Sequence, residues 1–167
     1  MATITLKGKP ISTFGNLPET GSLAPDFKLV GEDLQDVSLA KFKGQKKILN
    51  IVPSLDTSVC ATSARKFNER AREIPGCVIA MVSADLPFAA ERFRTNEKLD
   101  DIITLSMMRS QDFGRDYGVL ITSGPLAGLC ARAVVVLDEN DKVVHTELVS
   151  ELTREPNYDR VLEALKA

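Results

Sequence analysis

Lys47-Ile48-Leu49-Asn50-Ile51-Val52 is a mostly apolar, branched run that stops at Pro53 and resumes, after Ser54-Leu55-Asp56, as Thr57-Ser58-Val59-Cys60. The run predicts a buried strand. From Ser58 to Ile74 the apolar residues fall at 60, 64, 67, 71 and 74, the spacing of one helix face turned to a core. A strand therefore passes into a helix through a short turn, with Cys60 on the inner face of the helix's first turn. After Pro75-Gly76, Cys77-Val78-Ile79-Ala80-Met81-Val82 predicts a second strand, and Pro87 opens a helix through Phe93 toward Lys98. The βαβα alternation sets the class as α/β.

Working outward, Ile102-Ile103-Thr104-Leu105 predicts a short strand and Phe113–Tyr117 a helical turn, followed by a loop at Thr122-Ser123-Gly124-Pro125. Ala133–Leu137 and Val143–Leu148 flank Asp138-Glu139-Asn140-Asp141 as a hairpin. Glu155-Pro156 is expected to open a closing helix through Leu165. Upstream, Phe27–Val30 predicts a strand, and Val37-Ser38-Leu39 leads to a turn near Lys43-Gly44. Ile4–Phe14, alternating around Gly8 and Pro10, predicts a small hairpin, a lid-like addition at the N-terminal end. The sum is a thioredoxin-type arrangement in one domain over residues 1–167: a central mixed sheet with helices on both faces.

With 167 residues, 44% of them hydrophobic, the chain can build one sizeable core. Lys and Arg (21) nearly balance Asp and Glu (23), so no field gathers phosphates, and nucleic acid and membranes are not expected partners. Met1–Lys7 lacks the pattern of a signal peptide, and a soluble, cytoplasmic protein is expected. Cys60, Cys77 and Cys130 are odd in number and irregular in spacing, which argues against a disulfide framework. His145 is read as a surface residue, and no metal site is expected without partners at ligand spacing. Arg65-Lys66, Glu69-Arg70 and Arg72-Glu73 read as the solvated side of the Cys60 helix.

Two roles fit Cys60 from the residues alone: a small buried hydrophobe, or a nucleophile whose thiolate is favoured by unpaired N–H groups and the helix dipole. A free thiol of pKa about 8.5 is only about 3% ionised at neutral pH. Bringing such a group to about 6 takes ~3.5 kcal/mol, and a helix end supplies at most ~2. A cation is needed. Arg132, at the head of the apolar strand Ala133–Leu137, is the candidate, although it also fits a strand end at the surface. Ionisation raises the reactive fraction only about 30-fold, so an electrophile such as a peroxide also needs donors at its leaving oxygen. Backbone N–H groups, the Thr57 hydroxyl and the Arg132 fork could serve, though a threonine there is often only a helix cap. Pro53 would shield the sulfur from water.

Pro53-Ser54-Leu55-Asp56-Thr57-Ser58-Val59-Cys60 resembles the Pro-x-x-x-Thr-x-x-Cys signature of the peroxiredoxins. Ala24-Pro25-Asp26-Phe27 is similar to their opening motif. Ser83-Ala84-Asp85-Leu86-Pro87-Phe88-Ala89 with Arg92-Phe93, Gly124-Pro125-Leu126, Ala131–Asn140 and the N-terminal hairpin resemble the bacterial thiol peroxidase subfamily. The resemblance covers nearly the whole chain. It implies a homodimer that reduces hydrogen peroxide and organic hydroperoxides without a cofactor. Cys60 would be the peroxidatic thiol, Thr57 would orient the peroxide, and Pro53 would pack over the pocket. Arg132 would favour the thiolate and steady the transition state. The sulfenic acid formed would be recycled by thioredoxin or a small thiol.

The subfamily's resolving cysteine directly follows Arg-Phe, where this chain has Arg94. Three recycling routes follow: direct attack by an external thiol, resolution by Cys130, or an intersubunit disulfide or over-oxidation. Cys130 would share a face with Arg132 if the chain there is extended. Cys77 is expected to be structural. The main alternative function is a peroxide sensor or relay that passes oxidation from Cys60 to a partner. A thioredoxin-like disulfide reductase is disfavoured because Ser63 stands where a second thiol would be. A purely structural module would leave Pro53, Thr57, Cys60 and Arg132 without a purpose.

Overall fold

The computed structural model describes residues 1–166. Strands β1 (Thr3–Leu6) and β2 (Lys9–Ser12) form a separate antiparallel hairpin. The remaining strands, β3 (Leu29–Val30), β4 (Asp36–Val37), β5 (Lys46–Ile51), β6 (Cys77–Ser83), β7 (Ile103–Ser106), β8 (Ala133–Leu137) and β9 (Val143–Leu148), make one sheet in the order β4-β3-β7-β6-β5-β8-β9. The helices are α1 (Ser58–Ala71), α2 (Pro87–Asn96), α3 (Asp112–Asp116) and α4 (Tyr158–Leu165). The β5, β6 and β7 strands run parallel, while β8 returns antiparallel along β5, so the sheet is mixed as expected.

Both faces of the sheet are covered, which explains why β5, β6 and β8 read as unbroken apolar runs. Ile48, Ile79, Met81, Val134 and Val136 face one way and pack with Cys60, Ala64 and Phe67 of α1, Ala90 of α2 and Val161 of α4. Leu49, Ile51, Ala80, Val82, Val135 and Leu137 face the other way. They pack with Phe113 and Tyr117 and with a 3-10 turn at Leu39–Phe42. The 4-3-4-3 face of α1 is thus its buried face, with Ala71 and Ile74 at the margin.

The differences from expectation are local. The closing helix starts at Tyr158 and not at Pro156, because the Asn157 side chain accepts from the Arg160 N–H and fixes the cap there. Only Leu29 and Val30 of the first strand pair, since the Asp26 carboxylate takes the Phe27 and Leu39 N–H groups into a turn. The hairpin is not a lid over Cys60. Its Ile4 and Ile11 are buried in the cluster on the opposite sheet face, and Gly124 (φ +76°) lies where a Cβ would come within 2.8 Å of the Ile11 side chain. His145 is half-buried, not a surface residue; α4 packs along β9, and the His145 Nε2 is out of water with no partner among the described residues.

Lys47 sits inside the apolar run with its side chain 1% exposed and its ammonium paired to Asp141 in the β8–β9 turn. No helix among the described residues is long and apolar enough to cross a membrane.

Candidate active site

Parallel β5, β6 and β7 end on the same edge of the sheet, and β8 begins there because it runs antiparallel to β5. That edge collects the loop 53–57, the β6–α2 turn, Ser106 and Arg132. Clefts at the carboxyl ends of parallel strands are the usual place for sites in such sheets.

Cys60 stands at the third position of α1, with Thr57 as the capping residue in extended conformation. The Thr57 hydroxyl does not cap; it donates to the Ser54 carbonyl at 3.1 Å. The first-turn N–H groups therefore keep their positive ends free of a side-chain acceptor. Pro53 is buried behind the turn, and Cys60 itself is 0% exposed. Arg132 is 3% exposed and donates from Nη1 to the Cys60 sulfur at 3.2 Å and from Nε to the Leu152 carbonyl at 3.0 Å. Arg132 is thus no surface strand end. A buried guanidinium is costly unless paired, and the Cys60 sulfur and the Leu152 carbonyl are the acceptors this geometry offers. The structure brings Cys60 and Arg132 together, with Pro53 buried and Thr57 exposed in the turn before α1.

The sequence reading gave no role to Asp85, which orders the loop. Its Oδ1 accepts from the Ser54 hydroxyl at 2.8 Å, and its Oδ2 accepts from the Leu55 N–H at 2.7 Å and the Ser83 hydroxyl at 2.8 Å. The Asp85 carbonyl in turn accepts from the Ser106 hydroxyl. The carboxylate thereby ties the turn before Cys60 to the end of β6, and the backbone carbonyl of the same residue adds the end of β7. An acidic residue two positions after a strand was the available signal, but its partners lie about 30 residues away. A groove of about 610 Å³ opens beside this junction, between the loop and α2, lined by Leu55, Asp56, Asp85, Ala89, Arg92 and Phe93 among others. Cys60 and Arg132 do not line it.

The other cysteines are set apart. Cys130 is 0% exposed, its sulfur lies 3.5 Å from that of Met107, and burial pushes its thiol up to about 12. It packs on the sheet face opposite Cys60, so the extended-chain expectation for residues 130–132 is not met. The reason is that regular strand begins only at Ala133, while Cys130 bridges to Leu120 and the Ala131 N–H turns to the Val119 carbonyl. Cys77 pairs with Lys46 at the far end of β5, roughly 17 Å of strand from the site. Burial raises its thiol to about 11.

Arg94, in the last turn of α2, grips Glu32 with Nε to Oε1 at 2.6 Å and Nη2 to Oε2 at 3.1 Å. Thr104 donates to the same carboxylate at 3.1 Å, and the pairing raises the arginine's affinity for its proton. The place expected to carry a second thiol is therefore filled by a fork-to-fork ion pair.

A strand, a tight turn and a cysteine-bearing helix facing an arginine from the returning strand define a thioredoxin-fold thiol enzyme, and the Redoxin family model matches residues 19–162. The chain is 50% identical, over the whole length of both proteins, to a thiol peroxidase of Mycobacterium bovis. Among solved structures, a peroxiredoxin-like protein from Aquifex aeolicus superposes with a TM-score of 0.93 at 40% identity, covering 99% of this chain and 96% of that one. A thiol peroxidase from Chromobacterium violaceum gives a TM-score of 0.92 at 25% identity, covering 98% and 95%. The chain belongs to the thiol peroxidases, enzymes of the peroxiredoxin type.

Proposed function

We propose that Cys60 is the peroxidatic thiol of a hydroperoxide reductase that recycles through an external thiol. The observation that carries the reading is the buried contact of 3.2 Å between the Arg132 fork and the Cys60 sulfur at the start of α1. The thiolate attacks the outer oxygen of a hydroperoxide. The S–O bond forms as the O–O bond breaks, and the departing oxygen takes a proton to leave as water or an alcohol. Charge moves from sulfur to the leaving oxygen during the step. Arg132 and the free N–H groups of the first turn are fixed donors for both ends of that movement. Thr57 at the rim orients the peroxide, and Pro53 keeps bulk water off the sulfur. Because Cys60 is fully covered, the substrate reaches it through a small shift of the Thr57–Val59 turn.

One thiol then attacks the sulfenic acid, releasing water and leaving a mixed disulfide, and a second thiol frees Cys60 as the disulfide of the reductant departs. Thioredoxin or a small thiol fits this role. The one-cysteine route is supported by the ion pair at Arg94 and by the placement of Cys130 on the other sheet face. Replacing Cys130 by serine is therefore expected to leave steady-state turnover with a dithiol reductant within about twofold of the parent. A loss beyond tenfold, with a Cys60–Cys130 disulfide mapped in the parent, would assign resolution to Cys130.

The relay reading has one observation in its favour: no second thiol stands beside Cys60 among the described residues. Slow turnover with a trapped mixed disulfide to a protein partner would support it; sustained turnover with a generic thiol supports the enzyme. The exposed Leu86, Phe88 and Met108 near the site edge support a homodimer, which sedimentation would read directly.

Asp85 yields a further expectation. Asp85→Ala releases the Ser54 and Leu55 anchors, and the reaction with peroxide should slow about tenfold as the first turn loses its fixed position. Asp85→Asn keeps one carbonyl acceptor and should lose less. Stopped-flow rates on both variants, compared at equal helical content, check this.

A further inference from the structure

We propose that the N-terminal hairpin is part of the reaction apparatus, holding the Arg132 guanidinium against Cys60 by way of Glu151 and the Leu152 carbonyl, and that Glu151 is a positioning residue. The inference rests on Cys60 being the reacting atom.

Among the described residues Arg132 makes two side-chain hydrogen bonds, one to the Cys60 sulfur and one from Nε to the Leu152 carbonyl. The sulfur changes its chemical state in each cycle. The Leu152 carbonyl is thus the acceptor that keeps the fork aimed throughout. Leu152 lies beyond the end of β9, in a segment with no strand neighbour in the main sheet. Its side chain is buried in the core, and its backbone is held by the hairpin. The Leu152 N–H donates to the Thr5 carbonyl at 2.9 Å, and the Thr5 N–H donates to the Ser150 carbonyl at 2.8 Å, which places Glu151 in a parallel bridge with Thr5 of β1.

The Glu151 side chain closes the junction. Its Oε1 accepts from the Gly8 N–H at 2.8 Å and the Thr5 hydroxyl at 3.1 Å, both on the hairpin. Its Oε2 accepts from the N–H and the hydroxyl of Thr153, each at 2.8 Å, on the loop. These donors bring its carboxyl down to about 2. The hairpin can bear the load because Ile4 and Ile11 are anchored in the core, 2% and 4% exposed. Glu151 touches neither Cys60 nor Arg132, so its effect passes through the Leu152 carbonyl.

The test is a double-mutant cycle read in two ways: the rate of reaction with hydrogen peroxide and the rate of alkylation of Cys60 by iodoacetamide. Glu151→Ala is expected to slow both about tenfold, and to have no further effect in an Arg132→Leu background, where there is no fork to aim. Thr5→Val keeps the backbone bridge and removes one donor; it should slow both about threefold and serve as the partner in the cycle if Glu151→Ala does not fold. Equal losses from Glu151→Ala or Thr5→Val with and without Arg132 would overturn the proposal, as would unchanged rates in the folded single variants. Alkylation reads the Arg132 geometry even in the absence of peroxide turnover, so failure of the peroxidase reading stays distinguishable from failure of this one.

Discussion

Replacing Cys60 by serine removes hydroperoxide turnover, with a residual rate at least ~10³ below the parent. A serine hydroxyl does not ionise at working pH and cannot attack the O–O bond. The remaining thiols do not substitute for it. Burial raises Cys77 to about 11 and Cys130 to about 12. Both therefore stay in the unreactive thiol form at neutral pH. Arg132 keeps the Leu152 carbonyl in this variant but loses the sulfur that its Nη1 donates to, and a weakened pairing of a buried guanidinium is destabilising. The thermal midpoint of Cys60→Ser should accordingly fall below that of the parent. Peroxide consumption and calorimetry on the same sample check both outcomes.

The second large effect is expected at Arg132. Arg132→Leu removes the donor to the sulfur and to the developing negative charge, and single donors of this type are worth about 10²–10³ in rate. Leucine brings no charge of its own into the core and fills much of the space, so the loss should appear in chemistry with the fold retained. Arg132→Lys restores the charge without the planar fork, and cannot serve the sulfur and the Leu152 carbonyl in the same geometry. It should recover only part of the rate. A lysine variant as fast as the parent would mean that charge alone matters and that the two-point grip seen here does not.

Much of this was legible in the residues. The apolar run at 47–52, the 4-3-4-3 face from Cys60 to Ile74 and the paired strands around Asp138–Asp141 are local patterns, and local periodicity reads well. Pro53, Cys60 and Arg132 could be singled out because each is an exception within its pattern: a strand stop, a thiol at a helix start, a charge at the head of an apolar strand. What escaped was set by partners distant in the chain. Asp85, Glu151 and Glu32 look like ordinary surface acids, yet each carboxylate gathers three or four donors, at least two of them from chain segments the sequence does not place beside it. Lys47 looks like an interruption of a buried strand, and only the fold supplies Asp141 to neutralise it. Two-residue alternation would put Cys130 on the face of Arg132 only if the strand reached back that far, and before β8 the chain pairs with residues 119–121 instead.

The most direct measurement is intact mass spectrometry of the fully reduced protein after one equivalent of hydrogen peroxide, with Cys60→Ser alongside. The account predicts a gain of one oxygen, mapped to Cys60, lost again on adding thioredoxin or a small thiol, and absent from the serine variant. An unchanged mass in the parent, or an oxygen gained equally by the serine variant, would contradict it.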